Sequence, residues 1–236
     1  MEIKMGGILK STWEMLHDGR FLKKALMIAC PVALQGMLNT IVNMVDTLMI
    51  GGLGSTAIAA VGLANKVFFV FSLLVFGIVS GGGILAAQFW GSGDVKNIRK
   101  VLGLCVMLAM VGAMFFVVPA LTAPRMVMRI FTTSEGSIEL GAKYLRIAAL
   151  SYPFIALTNV YVAMLRATNK VVFPVICSCI AIVVNICLNY VLIFGKFGAP
   201  TMGVAGAACA TLTARCIEVT LVLFYVYGKK LPLACG

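Results

Sequence analysis

The chain has 236 residues, of which 61% are apolar and only 11% are charged, and its formal net charge is +11. Soluble domains are close to half apolar and a quarter charged, so this composition excludes an ordinary soluble protein. The 19 Lys and Arg residues are scattered among short segments. They form no basic face that could follow a phosphate backbone, so we expect no nucleic-acid partner.

Long uncharged runs recur along the chain at the length of a membrane-crossing helix, which needs roughly 20 residues for about 30 Å of hydrocarbon. The runs do not alternate polar and apolar residues as barrel strands do, so we predict helices. The predicted spans cover residues 25–50, 57–84, 101–122, 137–158, 171–195 and 204–227. The fold class is therefore an all-α integral membrane protein with six transmembrane helices, and one expected partner is the lipid bilayer.

The basic residues predict the orientation of these helices. With the amino terminus in the cytoplasm, twelve Lys and Arg residues lie inside and five lie outside, as the positive-inside rule requires. Both termini are therefore predicted to be cytoplasmic, in a multi-pass protein of the cell membrane, either plasma or inner membrane. Residues 1–24 are predicted to be a cytoplasmic juxtamembrane segment, 25–228 a transmembrane lobe, and 229–236 a cytoplasmic tail or the start of a linker.

The sequence contains no convincing enzyme motif. His17 is the only histidine and has no partner in a recognisable metal or nucleophile motif. The three glycines at 81–83 are not followed by Gly-Lys-Ser/Thr, so they lack the part of a P-loop that grips phosphate. Most of the eight cysteines lie in predicted spans, where Cys behaves as a small apolar residue. We expect no enzymatic activity, no metal and no cofactor.

Polar side chains inside the predicted spans are the candidates for a functional site, because they cost free energy in hydrocarbon and usually face a cavity or a partner. The first span carries Gln35, Asn39, Asn43 and Asp46. At about 100° per residue these positions form one narrow polar stripe on the helix. For Asn39 and Asn43, and for Ser178 of the fifth span, simple hydrogen bonding between helices is an equally good or better interpretation.

A second set of polar residues reaches a depth similar to that of Asp46 in the outer half of the membrane: Asn185 and Asn189 of the fifth span and Thr211 of the sixth. Oxygen ligands of this kind suit a hard cation, and a buried carboxylate with a raised pKa suits a proton. We therefore predict an ion-coupling site for H+ or Na+ formed by Asp46, Asn185, Asn189 and Thr211. Gln35, Asn39 and Asn43 are predicted to line a substrate cavity.

Arg215, Glu218 and Lys66 are charged residues deep within predicted spans that need a separate explanation. Arg215 and Glu218 are three residues apart on the sixth span, so we predict that they neutralise each other as a structural pair. Lys66 lies about ten residues into the second span. It is either a counter-ion to Asp46 or a side chain that reaches back to the interface, and the sequence leaves both interpretations open.

Five motifs in order along the chain resemble those of the multidrug and toxic compound extrusion (MATE) transporters. They are VDT at 45–47 followed by GGLG at 51–54, AAQFWGSGD at 86–94, LRA at 165–167 with Pro174, NxxxNYVLIFG at 185–195, and GVAGAACAT at 203–211. Each motif alone is weak. The resemblance as a whole runs in order from about residue 20 to 228, so the set of motifs is specific.

The resemblance implies an antiporter driven by protons or sodium, which exports organic and often cationic small molecules by alternating access between two six-helix lobes. It also implies that the carboxylate at Asp46 takes part in ion coupling, and that Asn185, Asn189 and Thr211 share its site. Position 189 is Asn where some members of the family have Asp, which leaves Asp46 as the main titratable candidate.

The chain has six predicted helices, whereas members of the family have about twelve. A second six-helix lobe, or a second copy of this chain in a homodimer, is therefore an expected partner. Two alternatives stay open: a flippase for lipids or lipid-linked oligosaccharides from the same superfamily, which would need a more cationic cavity, and a membrane fragment without transport activity of its own.

Overall fold

The computed structural model of the protein describes residues 19–198, 200–231 and 233. Helices and short 3-10 turns make up the secondary structure of these residues, with no strand among them, so the all-α prediction is confirmed. Most of the predicted juxtamembrane segment lies outside the described residues, as does part of the predicted tail. The helices are α1 (Gly19–Gly51), α2 (Ser55–Gly91), α3 (Val95–Thr122), α4 (Pro124–Arg129), α5 (Glu135–Ala148), α6 (Tyr152–Ala167), α7 (Val172–Phe194) and α8 (Val204–Gly228).

Five helical segments of the described chain are long and apolar enough to cross a membrane. Four of them are α2, α3, α7 and α8, and the fifth is the continuous segment Glu135–Ala167, in which a 3-10 turn joins α5 to α6. The 33-residue helix α1 precedes them. The protein is therefore a multi-pass membrane protein. The total of six transmembrane helices and the cytoplasmic position of both termini stay predictions.

Short turns with specific chemistry connect the long helices. Gly93, whose φ of 75° is unfavourable for a residue with a side chain, reverses the chain between α2 and α3. Asp94 then caps α3, because its carboxylate accepts hydrogen bonds from the backbone N–H and the side-chain amide of Asn97 at 3.1 and 2.6 Å. Gly195 ends α7 in the left-handed region, with φ of 65°. Such tight turns require neighbouring helices to pack against each other.

The main core lies between α2, α3 and the α5–α6 segment. The fully buried ring of Phe71 stacks on Tyr152, with centroids 4.7 Å apart and planes inclined by 9°. Nearby, a Cβ at Gly82 of α2 would collide with the Cys105 sulfur of α3. Aromatic stacking and close helix approach at a small residue both stabilise helix packing where water is absent. This core holds α2, α3 and the α5–α6 segment together.

A second close contact joins α7 to α8 and supports the polar residues described below. An ideal Cβ built at Gly206 would lie only 2.6 Å from the carbonyl oxygen of Leu192. The two backbones can approach this far only because residue 206 lacks a side chain. In contrast, α1 packs on one side only and leaves large apolar side chains exposed, including Met37, Met44 and Leu48.

Candidate functional site

Four polar side chains from three helices form a continuous hydrogen-bonded chain, which we call the outer polar cluster: Asp46, Asn189, Asn185 and Thr211. The Asn189 amide donates to Asp46 Oδ1 at 2.6 Å and to Asn185 Oδ1 at 3.2 Å. Asn185 in turn donates to Thr211 Oγ1 at 3.5 Å. The structure therefore brings together all four residues of the predicted ion-coupling site, and their role in ion coupling stays a prediction.

Helical spacing explains how the sequence builds this cluster. Asn185 and Asn189 are four residues apart, so both project from the same face of α7. Thr211 lies opposite them on α8, and its hydroxyl also donates to the Ala207 carbonyl of its own helix at 3.0 Å. The contact between Gly206 and Leu192 brings α8 close enough to α7 for the hydroxyl to reach Asn185.

One buried oxygen of the outer polar cluster has no hydrogen-bond donor among the described residues. The amide nitrogen of Asn189 faces the Asp46 carboxylate, so its Oδ1 points elsewhere, where it is buried and unpartnered among the described residues. A buried acceptor without a donor costs about 1–3 kcal/mol. Such an oxygen beside a carboxylate is suited to a cation or to a protonated group.

Asp46 has no cation in direct contact. Among the described residues, the three ion pairs within 4.0 Å involve other carboxylates. Lys66 is exposed on α2 and makes no ion pair with Asp46, which disfavours the counter-ion interpretation of this lysine.

A second network, the inner polar network, consists of Arg166, Gln35, Ser178, Glu218 and Arg215. Its hydrogen bonds all point towards the Glu218 carboxylate. Arg166 donates to Gln35 Oε1 at 2.6 Å, Gln35 to Ser178 Oγ at 2.6 Å, and Ser178 to Glu218 Oε1 at 2.7 Å. Arg215 donates to Glu218 Oε2 at 2.7 Å, so the predicted pairing of these two residues is confirmed.

The carboxylates of the two networks have different hydrogen-bond partners. Glu218 is 3% exposed and accepts hydrogen bonds from both an arginine and a hydroxyl. Both oxygens of the Glu218 carboxylate therefore accept a hydrogen bond, one of them from a charged donor. Asp46 accepts from one neutral amide. Of the two carboxylates, Asp46 is the one whose charge a proton or a cation can neutralise without breaking an existing ion pair.

The three residues predicted to line a substrate cavity have different environments. Gln35 is buried in the inner polar network. Asn39 is half-buried, and Asn43 is exposed on α1. Only Asn43 therefore presents its side chain to an open face of the described structure. The cavity assignment of all three residues stays a prediction.

Comparisons with known proteins identify the family. The family model MatE matches residues 31–191, which include α1 from its proline onwards and most of α7. The chain is 31% identical over 210 residues to the probable multidrug resistance protein NorM of Thermotoga maritima, covering 88% of this chain and 45% of that protein. It is also 31% identical over 212 residues to the probable multidrug resistance protein YoeA of Bacillus subtilis. That match covers 86% of this chain and 44% of that protein.

Solved structures agree on the fold. A MOP superfamily transporter from Pyrococcus furiosus superposes with a TM-score of 0.80 at 23% identity, over 89% of this chain and 45% of that one. An outward-facing multidrug resistance MATE family transporter gives the same TM-score, with 46% of its chain covered. The fold is that of an all-α, multi-pass membrane protein. The chain belongs to the MATE family, and it spans less than half the length of these relatives.

Proposed function

We propose that this chain forms the amino-terminal lobe of a multidrug exporter that exchanges protons or sodium ions for organic, often cationic, small molecules. The outer polar cluster supports this proposal, because a carboxylate bound by a single neutral amide lies beside an unpartnered buried oxygen. Neutralising that carboxylate changes the charge of the lobe at the point where α1 meets α7. The names of the relatives, probable multidrug resistance proteins, support the proposed substrate class.

The second lobe is part of the proposal. The relatives are about twice as long as this chain, and one lobe can present only half of a central cavity between two bundles. The exposed apolar residues of α1 are of the kind that a neighbouring bundle or lipid covers. We propose either a second six-helix lobe or a second copy of this chain as the partner. The proposed location is the plasma or inner membrane.

The flippase alternative is not favoured. An anionic lipid-linked substrate would need free cations along the cavity. Arg215 is already paired with Glu218 at 2.7 Å, and Arg166 donates to Gln35 at 2.6 Å. Lys66 and Arg146 also lie inside long apolar helical segments, and each is a single charge on an exposed face. The interior of the described lobe therefore offers little free positive charge to a substrate phosphate.

The test is substrate flux driven by an ion gradient in vesicles that contain the complete transporter. Asp46→Asn keeps the shape of the side chain and removes its charge, so we expect insertion to be preserved and coupled flux to fall by at least about tenfold. Glu139→Gln is the matched control, since Glu139 is exposed and pairs only with Lys143 on its own helix. Flux at the parent rate in Asp46→Asn, with unchanged pH and sodium dependence, would refute the assignment.

The same vesicles distinguish the two coupling ions. A sodium gradient at fixed pH and a pH gradient without sodium are imposed separately. If sodium is the coupling ion, Asn189→Leu removes both the donor to Asp46 and the unpartnered oxygen, so sodium-driven flux is lost. If the proton is the coupling ion, the carboxylate suffices, and Asn189→Leu shifts the pH dependence of flux without abolishing it.

A further inference from the structure

Gln35 is held at both ends of its amide. Its oxygen accepts from Arg166 and its nitrogen donates to Ser178, each at 2.6 Å. Its side chain is buried. The partners are themselves fixed, because Ser178 is bonded to Glu218, which is paired with Arg215. The inner polar network therefore ties α1 to α6, α7 and α8 through one glutamine.

The inner and outer contacts between α1 and α7 have the same register. Gln35 and Ser178 are 143 residues apart in the chain, and so are Asp46 and Asn189. On each helix the two contacts are eleven residues apart, roughly three turns and about 16 Å. Eleven residues at about 100° each return to nearly the same face of a helix. The two helices are parallel, and two polar contacts define their alignment.

The outer contact alone does not define this alignment. Asn185 lies one turn before Asn189 on the same face of α7, so a slip of α1 by four residues, about 6 Å, would offer Asp46 a second amide. The inner contact has no such alternative. One turn before Ser178 lies Pro174, which has no polar side chain and no N–H, and one turn after it lies Ile182. Of these registers, only the observed one gives Gln35 a side-chain hydrogen-bond partner on α7.

We propose that Gln35 is a positioning residue that fixes the register of α1 against α7, so that Asp46 meets Asn189 rather than Asn185. Apolar packing between helices in hydrocarbon lacks a hydrophobic driving force, so polar contacts determine such registers. A single buried polar residue sets the register of paired helices in coiled coils in the same way. The functional consequence rests on the proposed ion coupling at Asp46, whereas the register itself does not.

Cross-linking in membranes tests the register in the complete transporter, in a background without native cysteines. Ala181→Cys on α7 is combined either with Leu38→Cys, which has the observed offset of 143 residues, or with Val42→Cys, which matches a slip of one turn. A short bifunctional thiol reagent should cross-link the first pair more than the second. The ratio of the two cross-linking yields therefore reports the register. Gln35→Met, which keeps the size but loses both hydrogen bonds, should lower the ratio by about threefold to tenfold.

Three further variants make the result decisive. Thr40→Val is the control, because the exposed Thr40 hydroxyl bonds only to its own helix at Gly36, and the ratio should not change. Ser178→Ala removes the same contact from the other helix, so it should lower the ratio as Gln35→Met does. It provides an independent test if Gln35→Met inserts poorly into the membrane. Asn185→Leu, added to Gln35→Met, removes the slipped partner of Asp46 and should restore the parental ratio.

The outcomes separate this proposal from the proposed function. An unchanged cross-linking ratio in both Gln35→Met and Ser178→Ala would overturn the register proposal. Failure of Asn185→Leu to restore the ratio in Gln35→Met would overturn it as well. Neither result requires transport. A merely structural glutamine would lower the protein level without altering the ratio. If the register proposal holds and Asp46→Asn still transports normally, the proposed coupling site is wrong and the positioning role of Gln35 stands.

Discussion

The close approach of α7 and α8 predicts that Gly206 tolerates no side chain. In Gly206→Ala the new Cβ would lie 2.6 Å from the oxygen, 2.8 Å from the carbonyl carbon and 3.0 Å from the Cβ of Leu192. Two of these atoms belong to the backbone, so no rotamer change relieves the contact. The helices must separate, and overpacking of this kind costs about 1–3 kcal/mol.

Alanine also favours a helix over glycine by about 1 kcal/mol, which offsets part of this cost. Gly103→Ala isolates that gain, because Gly103 is in the middle of α3 and no atom lies within 4 Å of its ideal Cβ. The two variants should therefore differ in free energy of unfolding by about 1–3 kcal/mol. Separation of the helices should also lengthen the 3.5 Å contact between Asn185 and Thr211.

The assay is the fraction of protein that stays monodisperse in detergent after heating, with flux in vesicles as the second measurement. We expect Gly206→Ala to lose its folded fraction at a lower temperature than Gly103→Ala and to lose coupled flux. Equal thermal stability of the two variants, with flux preserved in both, would show that the helices can separate at no cost. The backbone contact would then have no role in positioning the outer polar cluster.

Three other predictions follow from the site and the topology. Thr211→Val removes the hydroxyl that accepts from Asn185, so the apparent affinity for the coupling ion should fall by about threefold to tenfold in flux assays. Thr213→Val is the control and should have no effect, because the exposed Thr213 hydroxyl bonds only to Cys209 of the same helix. A cysteine at Ser55 should react with an impermeant thiol reagent in intact cells, and one at Ser92 should not; the reverse pattern would contradict cytoplasmic termini. A monomeric preparation of this chain alone should show little efflux, and robust efflux would disprove the need for a second lobe.

The parts of the fold that depend on local chemistry could be predicted from the sequence. Uncharged runs located the helices, because a charge in hydrocarbon is costly wherever it occurs. The polar stripe on α1 and the spacing of Asn185 and Asn189 located the outer polar cluster, because helical periodicity determines which residues share a face. Helix ends were less predictable: α2 ends at Gly91 rather than at residue 84, since a helix continues past the hydrocarbon without any change in backbone chemistry.

The inner polar network could not be predicted in the same way. Arg166 lies next to a turn, where a cation is ordinarily solvated, and its acceptor Gln35 is 131 residues away in the chain. No periodicity links two positions so far apart. Gln35 was predicted to line a cavity because it shares a face with Asp46. Its bond to Arg166 becomes apparent only when the position of the end of α6 relative to α1 is known.

The length of α2 has a consequence for how the lobe is seated in the bilayer. Its 37 residues extend over roughly 55 Å, and even a tilt of about 40° leaves a height of about 42 Å against about 30 Å of hydrocarbon. The excess lies at the Gly91 end, because the large exposed apolar residues of α2 end at Leu85. We expect this overhang to bring the exposed Lys96 and Lys100 to the level of the lipid headgroups, where anionic lipids attract cations. The tilt of the lobe should then depend on hydrocarbon thickness and on the anionic lipid content of that leaflet.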